Sequence, residues 1–398
     1  MKLRYFLFVL SFCLTLAARA QDVSFEYLTD LSVPAANAER IAMSSDFRWL
    51  LTTDPEQQEI HLHRANWAKP SLTVVDAFPP TDSLMAIPTP GRPMAIAVHP
   101  SQPLAIALSR PLDLRARGEV LFLDLREKSP GRLLRSQLVG FRPESVAISP
   151  DGRWALVANG GRGKRSAPGS VGFLDLQNLS GWEDNRLQEV PYREFSGLPA
   201  LLGKSATSLN PTAVAISADG RLAAVLCRKN NAIVWIDLRG AEPVLAGVTE
   251  LPRGSRPTSL SLLDEADGSV LAGVAERGDQ RVSFFRVTYS DAAVKADLLS
   301  REDIRPLVDE GRPREERDPR EIVLGRVAGR PFAWIASKHA QRVVMLDLAD
   351  PAHPQLARRA ASTAPARSLL LVEVKNAVLV VTANERDAIS VLRARATP

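Results

Sequence analysis

The sequence predicts an all-β protein: a seven-bladed β-propeller of four-stranded antiparallel blades, with an N-terminal strand completing the last blade. Three observations carry this prediction. One unit recurs seven times, with anchors near residues 38, 93, 143, 211, 257, 319 and 365, and their mean spacing of about 54 residues suits a four-stranded repeat. Inside each unit the apolar residues come in short runs, and 29 Pro and 23 Gly in 398 residues favour turns over long helices. The last unit is one strand short, while a spare strand precedes the first anchor.

The innermost strand opens each unit. Arg92-Pro93-Met94-Ala95-Ile96-Ala97-Val98, Pro143-Glu144-Ser145-Val146-Ala147-Ile148 and Pro211-Thr212-Ala213-Val214-Ala215-Ile216 are close copies. Weaker copies begin at Arg256-Pro257, Asp318-Pro319 and Ala364-Pro365, and Ala38 to Ser44 fits without the proline. A turn follows, Asp151-Gly152 or Asp219-Gly220, because glycine accepts the positive φ of a tight hairpin. The second strand is apolar, as in Trp154-Ala155-Leu156-Val157-Ala158. The third ends in hydrophobic-Asp-Leu, at Leu123-Asp124-Leu125, Leu174-Asp175-Leu176, Ile236-Asp237-Leu238 and Leu346-Asp347-Leu348. A more polar fourth strand leads to the next anchor. The seventh unit has strands near 367–373, 377–383 and 388–394 and then lacks its fourth. Val23 to Leu28 is the spare strand, and pairing it there removes an open edge that would otherwise template aggregation.

Pro143 to Asn159 reads Pro-x-x-Val-Ala-Ile-Ser-Pro-Asp-Gly-Arg-x-hydrophobic-x-Val-Ala-Asn, followed by a variable loop and Val-x-x-hydrophobic-Asp-Leu. This is similar to the YVTN-type repeat, and residues 38–394 resemble the lactonase-like seven-bladed propeller superfamily. The resemblance implies the fold. For function it implies a range, because such propellers serve as lactonases, as quinoprotein subunits and as binding platforms.

Residues 1–20 read as a secretory signal peptide: Lys2 and Arg4, an apolar run from Tyr5 to Leu16, then the small-x-small site Ala18-Arg19-Ala20. The run is shorter than the roughly 20 residues a membrane span needs. The remaining 21–398 form one propeller domain, expected in the periplasm or secreted, with no membrane span after cleavage. Losing 1–20 removes three basic residues and no acid, which takes the formal charge from +5 to +2 and with it the case for nucleic acid. It also leaves Cys227 alone in an apolar run, as a buried thiol rather than a disulfide partner or nucleophile.

In an up-and-down blade, the loops joining second to third strands share one face with the crossovers between blades. The long segments Arg110–Arg117, Gly160–Gly169, Gln177–Leu209 and Asp297–Asp318 are expected on that face, where a rigid scaffold presents its binding loops. Cations gather there. The loops supply Arg110, Arg115, Arg162, Lys164, Arg228, Arg277 and Lys338, and the crossovers supply Arg92, Arg142 and Arg256, each before a proline. The expected ligand-binding or partner-binding residues are Arg92, Arg142, Arg162, Lys164, Arg228, Arg256, Lys338, His339 and Trp182. Together they describe a basic funnel for an anionic small molecule or for another periplasmic protein. Trp182, Tyr192 and Phe195 either form a partner-binding lobe or pin their own loop.

Motifs for chemistry are scarce. The sequence has no Gly-x-Ser-x-Gly elbow and no Cys-x-x-Cys-His haem site. Gly203-Lys204-Ser205 lacks the upstream glycine of a phosphate loop. His61 and His63 share a strand face but no third metal ligand is evident nearby, so neither metal nor cofactor is expected. His99 stands where Ser149 and Ser217 stand in other units, a repeat-structural place. The reading that follows is a non-catalytic binding or assembly platform, as a monomer or in a hetero-complex. The alternatives are a lactonase-like hydrolase and an accessory subunit of a periplasmic quinoprotein or haem dehydrogenase.

Overall fold

The computed structural model describes residues 23–32, 38–65, 84–162, 167, 169–181, 186–203, 209–290, 293–305, 318–337, 341–374, 377–384 and 388–397. The expected signal peptide, Lys164, Trp182, Lys338 and His339 lie outside the described residues.

Seven four-stranded antiparallel sheets form a ring. Their innermost strands are Arg40–Met43, Arg92–Val98, Pro143–Ile148, Pro211–Ile216, Pro257–Asp264, Pro319–Val327 and Ala366–Val374. Each innermost strand packs against the next, and the first packs against the seventh, so all seven surround one axis. The core lies between blades. Leu104–Arg110, Trp154–Asn159 and Leu222–Cys227, the second strands of blades two to four, are covered on both faces, which is why they read as unbroken apolar runs.

Two local devices repeat. In the first turn a serine hydroxyl caps the hairpin: Ser149 Oγ accepts the Trp154 N–H at 2.9 Å and Ser217 Oγ accepts that of Leu222 at 3.0 Å. His99 holds the same place, its Nδ1 accepting from the Ser101 and Gln102 N–H groups and its Nε2 donating to the Gly152 carbonyl. Gly152 sits at φ +74° and an added Cβ would lie 2.4 Å from the His99 ring, so only glycine fits there. At the end of the third strand, Asp124, Asp175, Asp237 and Asp347 each accept a backbone N–H from two residues on, closing a turn. The leucine after each of them is buried, which explains the hydrophobic-Asp-Leu signature.

The ring closes as the sequence requires. Val23–Ser32, longer than the Val23–Leu28 read from sequence, pairs antiparallel with Ala388–Ala396 as the fourth strand of the seventh blade. Val23 and Phe25 pack into the cluster of Phe332, Trp334 and Met345 between blades six and seven.

The long insertion is placed differently from expectation. The third strand Ser170–Asp175 is followed by the short fourth strand Tyr192–Glu194, so the connection between them leaves and returns on the turn face, and the crossover to the next blade begins only after Glu194. Likewise Val294–Asp303 is a fourth strand rather than loop. A run of polar residues conceals an outer strand, since such strands need little apolar surface. Tyr192 and Phe195 are anchors of this segment: the Tyr192 hydroxyl bonds Asn159 and Glu194, and Phe195 lies 5.1 Å from the Phe173 ring.

His61 and His63 are both buried on the third strand Glu59–Arg64, with ring centroids 6.4 Å apart. Burial, aided by neighbouring His61, pushes the His63 imidazole down to about 4 from its usual 6.5. A depressed pKa means that His63 supports the fold above pH 6.5 and that this support is lost as pH falls towards 4. We therefore expect wild type to lose about 3 kcal/mol over that interval from this group alone. Burial depresses His99 as well, with the same sign. Urea midpoints measured from pH 7 to pH 4 should fall less steeply for His63→Leu than for wild type; parallel curves would refute the assignment.

Candidate functional site

Six of the seven innermost strands carry a β-bulge at the same place. Register slips between Pro93 and Ala95, Pro143 and Ser145, Pro211 and Ala213, Pro257 and Ser259, Pro319 and Glu321, and Ala366 and Ser368. The bulged residues are Met94, Glu144, Thr212, Thr258, Arg320 and Arg367. In five of the six the strand residue before the bulge is a proline, which cannot donate a ladder hydrogen bond, so the strand starts irregularly and the following side chain is re-aimed. In the sixth Ala366 takes that place. All six line a single cavity of about 260 Å³, with Glu39 and Arg40 filling the first blade's place. This is the mouth of the ring on the crossover face.

Arginines crowd this mouth and its few carboxylates. Arg40 Nη1 meets Glu321 Oε2 at 2.6 Å. Glu39 takes Arg320 and Arg367, each at 2.9 Å. Glu144 takes Arg110 at 2.6 Å and Arg142 at 2.8 Å. Arg277 pairs with Asp318 at 2.9 Å. Three further arginines, Arg92, Arg228 and Arg256, have no carboxylate partner among the described residues. Arg228 Nε instead donates to the Pro257 carbonyl at 3.2 Å. Partial removal from water lowers the Arg228 guanidinium below its usual range despite Glu144, with Arg142, Arg40 and Arg277 adding repulsion. Arg110 is lowered in the same way, by desolvation and by Arg142 and Arg92 against Glu144. Crowded like charge that is short of counter-charge is the physical signature of an anion site.

Two side cavities adjoin the mouth. One of about 320 Å³ brings together Arg228, Arg256 and Arg277 around Thr258 and Gly278. The other, of about 600 Å³ between blades two and three, brings together Arg92, Arg110, Arg115, Arg142 and Arg162. Arg142 and Arg256 both hold left-handed backbone, at φ 55° and 44°, directly before proline. A non-glycine residue there stores strain, of order 1–3 kcal/mol, and such residues cluster at functional sites.

Of the residues expected from sequence, Arg92, Arg142 and Arg162 thus share one cavity and Arg228 and Arg256 another. Sequence reasoning missed Glu144, Thr212, Thr258, Arg320 and Arg367. The signal was present, since Glu144, Thr212, Thr258 and Arg320 each follow an anchor proline directly and Arg367 stands two residues after Pro365, but a β-strand reading turns that position away from the axis unless a bulge is foreseen. Cys227 is fully buried, and burial alone pushes its thiol up to about 12, the state of a core residue. Among the described residues no three His, Cys, Asp or Glu side chains cluster as a metal site, and no helix is long and apolar enough to cross a membrane.

A model of the choice-of-anchor I domain family matches residues 39–268. A comparison with curated proteins finds no match. Solved structures with the same fold include Kuenenia stuttgartiensis hydrazine synthase, at TM-score 0.59 and 15% identity, covering 90% of this chain and 96% of that one. Another is a functionally unknown protein from Desulfotomaculum acetoxidans DSM 771, at TM-score 0.54 and 14% identity, covering 79% and 84%. At such identities the likeness speaks to fold alone.

Proposed function

The chain belongs to the choice-of-anchor I domain family, typical of extracellular or surface proteins, and from that premise we propose an exported, non-catalytic binding platform. Its crossover face holds an anionic small molecule or an acidic segment of another periplasmic protein. Residues 1–20 act as the export signal and 21–398 as one propeller domain. The observation that carries this reading is the mouth itself: side chains from every blade converge there, and Arg92, Arg228 and Arg256 remain without a carboxylate partner among the described residues. The YVTN-type repeats keep a lactonase-like hydrolase as the second reading. Against it, the carboxylates of Glu39, Glu144, Asp318 and Glu321 are all already engaged by arginines, which leaves none of them free to serve as a general base. An accessory role in a quinoprotein or haem dehydrogenase would use the same face to hold its partner.

The strained arginines provide the test. In Arg142→Gly/Arg256→Gly the left-handed backbone is relieved, offsetting glycine's greater freedom when unfolded, so the urea midpoint should change little. Fluorescently labelled hexaglutamate should bind wild type in a salt-sensitive manner and the double variant about tenfold or more weakly. Hexaglutamate that fails to bind, or binds both proteins equally, would overturn the proposal.

A further inference from the structure

We infer that the cavity between the second and third blades receives an acidic amphipathic peptide, a partner segment in which carboxylates stand beside aliphatic side chains. This rests on the anion-binding reading of the same face and names the kind of ligand. The cavity, about 600 Å³, falls within the roughly 300–1,000 Å³ of ordinary ligand sites. Five guanidiniums line it and, among the described residues, no carboxylate does. Arg110 and Arg142 are shared with Glu144, whereas Arg92 and Arg115 have no carboxylate partner among the described residues. Arg162 lies over the Phe141 ring, 5.5 Å from its centroid, which restrains it before any ligand arrives.

Charge alone would fit any polyanion. The second feature narrows the choice. The loop after Arg110 puts Leu112 and Leu114 on the cavity wall at 59% and 66% exposure, the two highest values among the large apolar side chains described. This loop is shaped from within: the Asp113 carboxylate accepts the Arg115 N–H at 2.8 Å and the Asp113 carbonyl accepts that of Ala116 at 3.0 Å. It is also tied to the blade by a close approach at Gly91, where an added Cβ would lie 2.2 Å from the Arg110 carbonyl oxygen. Two leucines held open beside five arginines gain from being covered, each by up to roughly 1.5–3 kcal/mol, and only a ligand with aliphatic groups covers them. A bilayer surface cannot seat its charges inside a concave cavity while also covering its rim. A peptide can do both, with glutamate or aspartate side chains on the guanidiniums and leucine-like side chains on Leu112 and Leu114.

The test uses the full chain and three labelled probes: an alternating Glu/Leu peptide, the same peptide with Ser for Leu, and hexaglutamate. Wild type should bind the Glu/Leu peptide about tenfold tighter than either of the others. Leu112→Ser/Leu114→Ser, on an exposed loop, should abolish that advantage while leaving hexaglutamate binding unchanged. If hexaglutamate binds but the Glu/Leu peptide has no advantage, or keeps it in the double variant, the peptide inference falls and the anion reading stands. If vesicles of phosphatidylglycerol bind through the two leucines and the Glu/Leu peptide does not, the surface is a membrane contact and the inference is overturned. Failure of hexaglutamate itself would instead remove the reading beneath it.

Discussion

Deleting Val23–Ser32 is expected to stop the chain from forming a soluble ring. Phe25 and Val23 are both 7% exposed and pack against the Trp334 cluster, so their loss alone removes packing worth about 3–5 kcal/mol for the phenylalanine and somewhat less for the valine. The ion pair of Glu26 with Arg393 and the hydrogen bond from Ser390 Oγ to Asp30 go with them. Total stabilities of 5–15 kcal/mol leave little after such a loss. The deletion also bares the whole of Ala388–Ala396 as an unpaired edge, which invites self-association. Size-exclusion chromatography and circular dichroism of the truncated chain decide the matter; a monomer with native spectrum and native urea midpoint would refute the closure role. Phe25→Ala, a milder change, should lower stability by about 3–5 kcal/mol without altering the oligomeric state.

Glu276→Ala should cost about 3–5 kcal/mol, the penalty for breaking a buried ion pair from one side. The Glu276 side chain at the end of the second strand of blade five is fully buried, accepts from Ser283 Oγ and pairs with Arg301, whose Nε reaches it at 3.0 Å. Arg301 also holds Asp279. Removing the glutamate leaves the half-buried guanidinium with Asp279 alone and a buried hydroxyl without its acceptor. Glu276→Gln keeps one acceptor and should cost visibly less. Urea unfolding of the three proteins gives the order wild type, Gln, Ala; an alanine variant as stable as wild type would show the network to be dispensable.

The candidate site was only partly legible in the chain. Its arginines could be assigned to one face because the order of strands in an up-and-down blade dictates which loops emerge together. Arg92, Arg142, Arg228 and Arg256 were found that way. Glu144, Thr258, Arg320 and Arg367 were not, because period-two alternation says nothing about a bulge that turns one residue out of register. The loop from 176 to 191 was misplaced for a related reason: Tyr192–Glu194 is a three-residue outer strand whose hydrogen bonds define it and whose composition does not.

What the sequence determined by itself was the repeat and its consequences: seven blades, four strands in each, the Asp-Gly turns, and a terminal strand closing the ring. These depend on neighbours a few residues apart, or on simple counting. Only the tertiary structure decided which arginines share a cavity, which of them lack a carboxylate, and that Leu112 and Leu114 stand open beside five of them. The physical reason is range. Hairpins and caps are written within ten residues, whereas the mouth is assembled from residues spread between Glu39 and Arg367, brought together only when the ring closes.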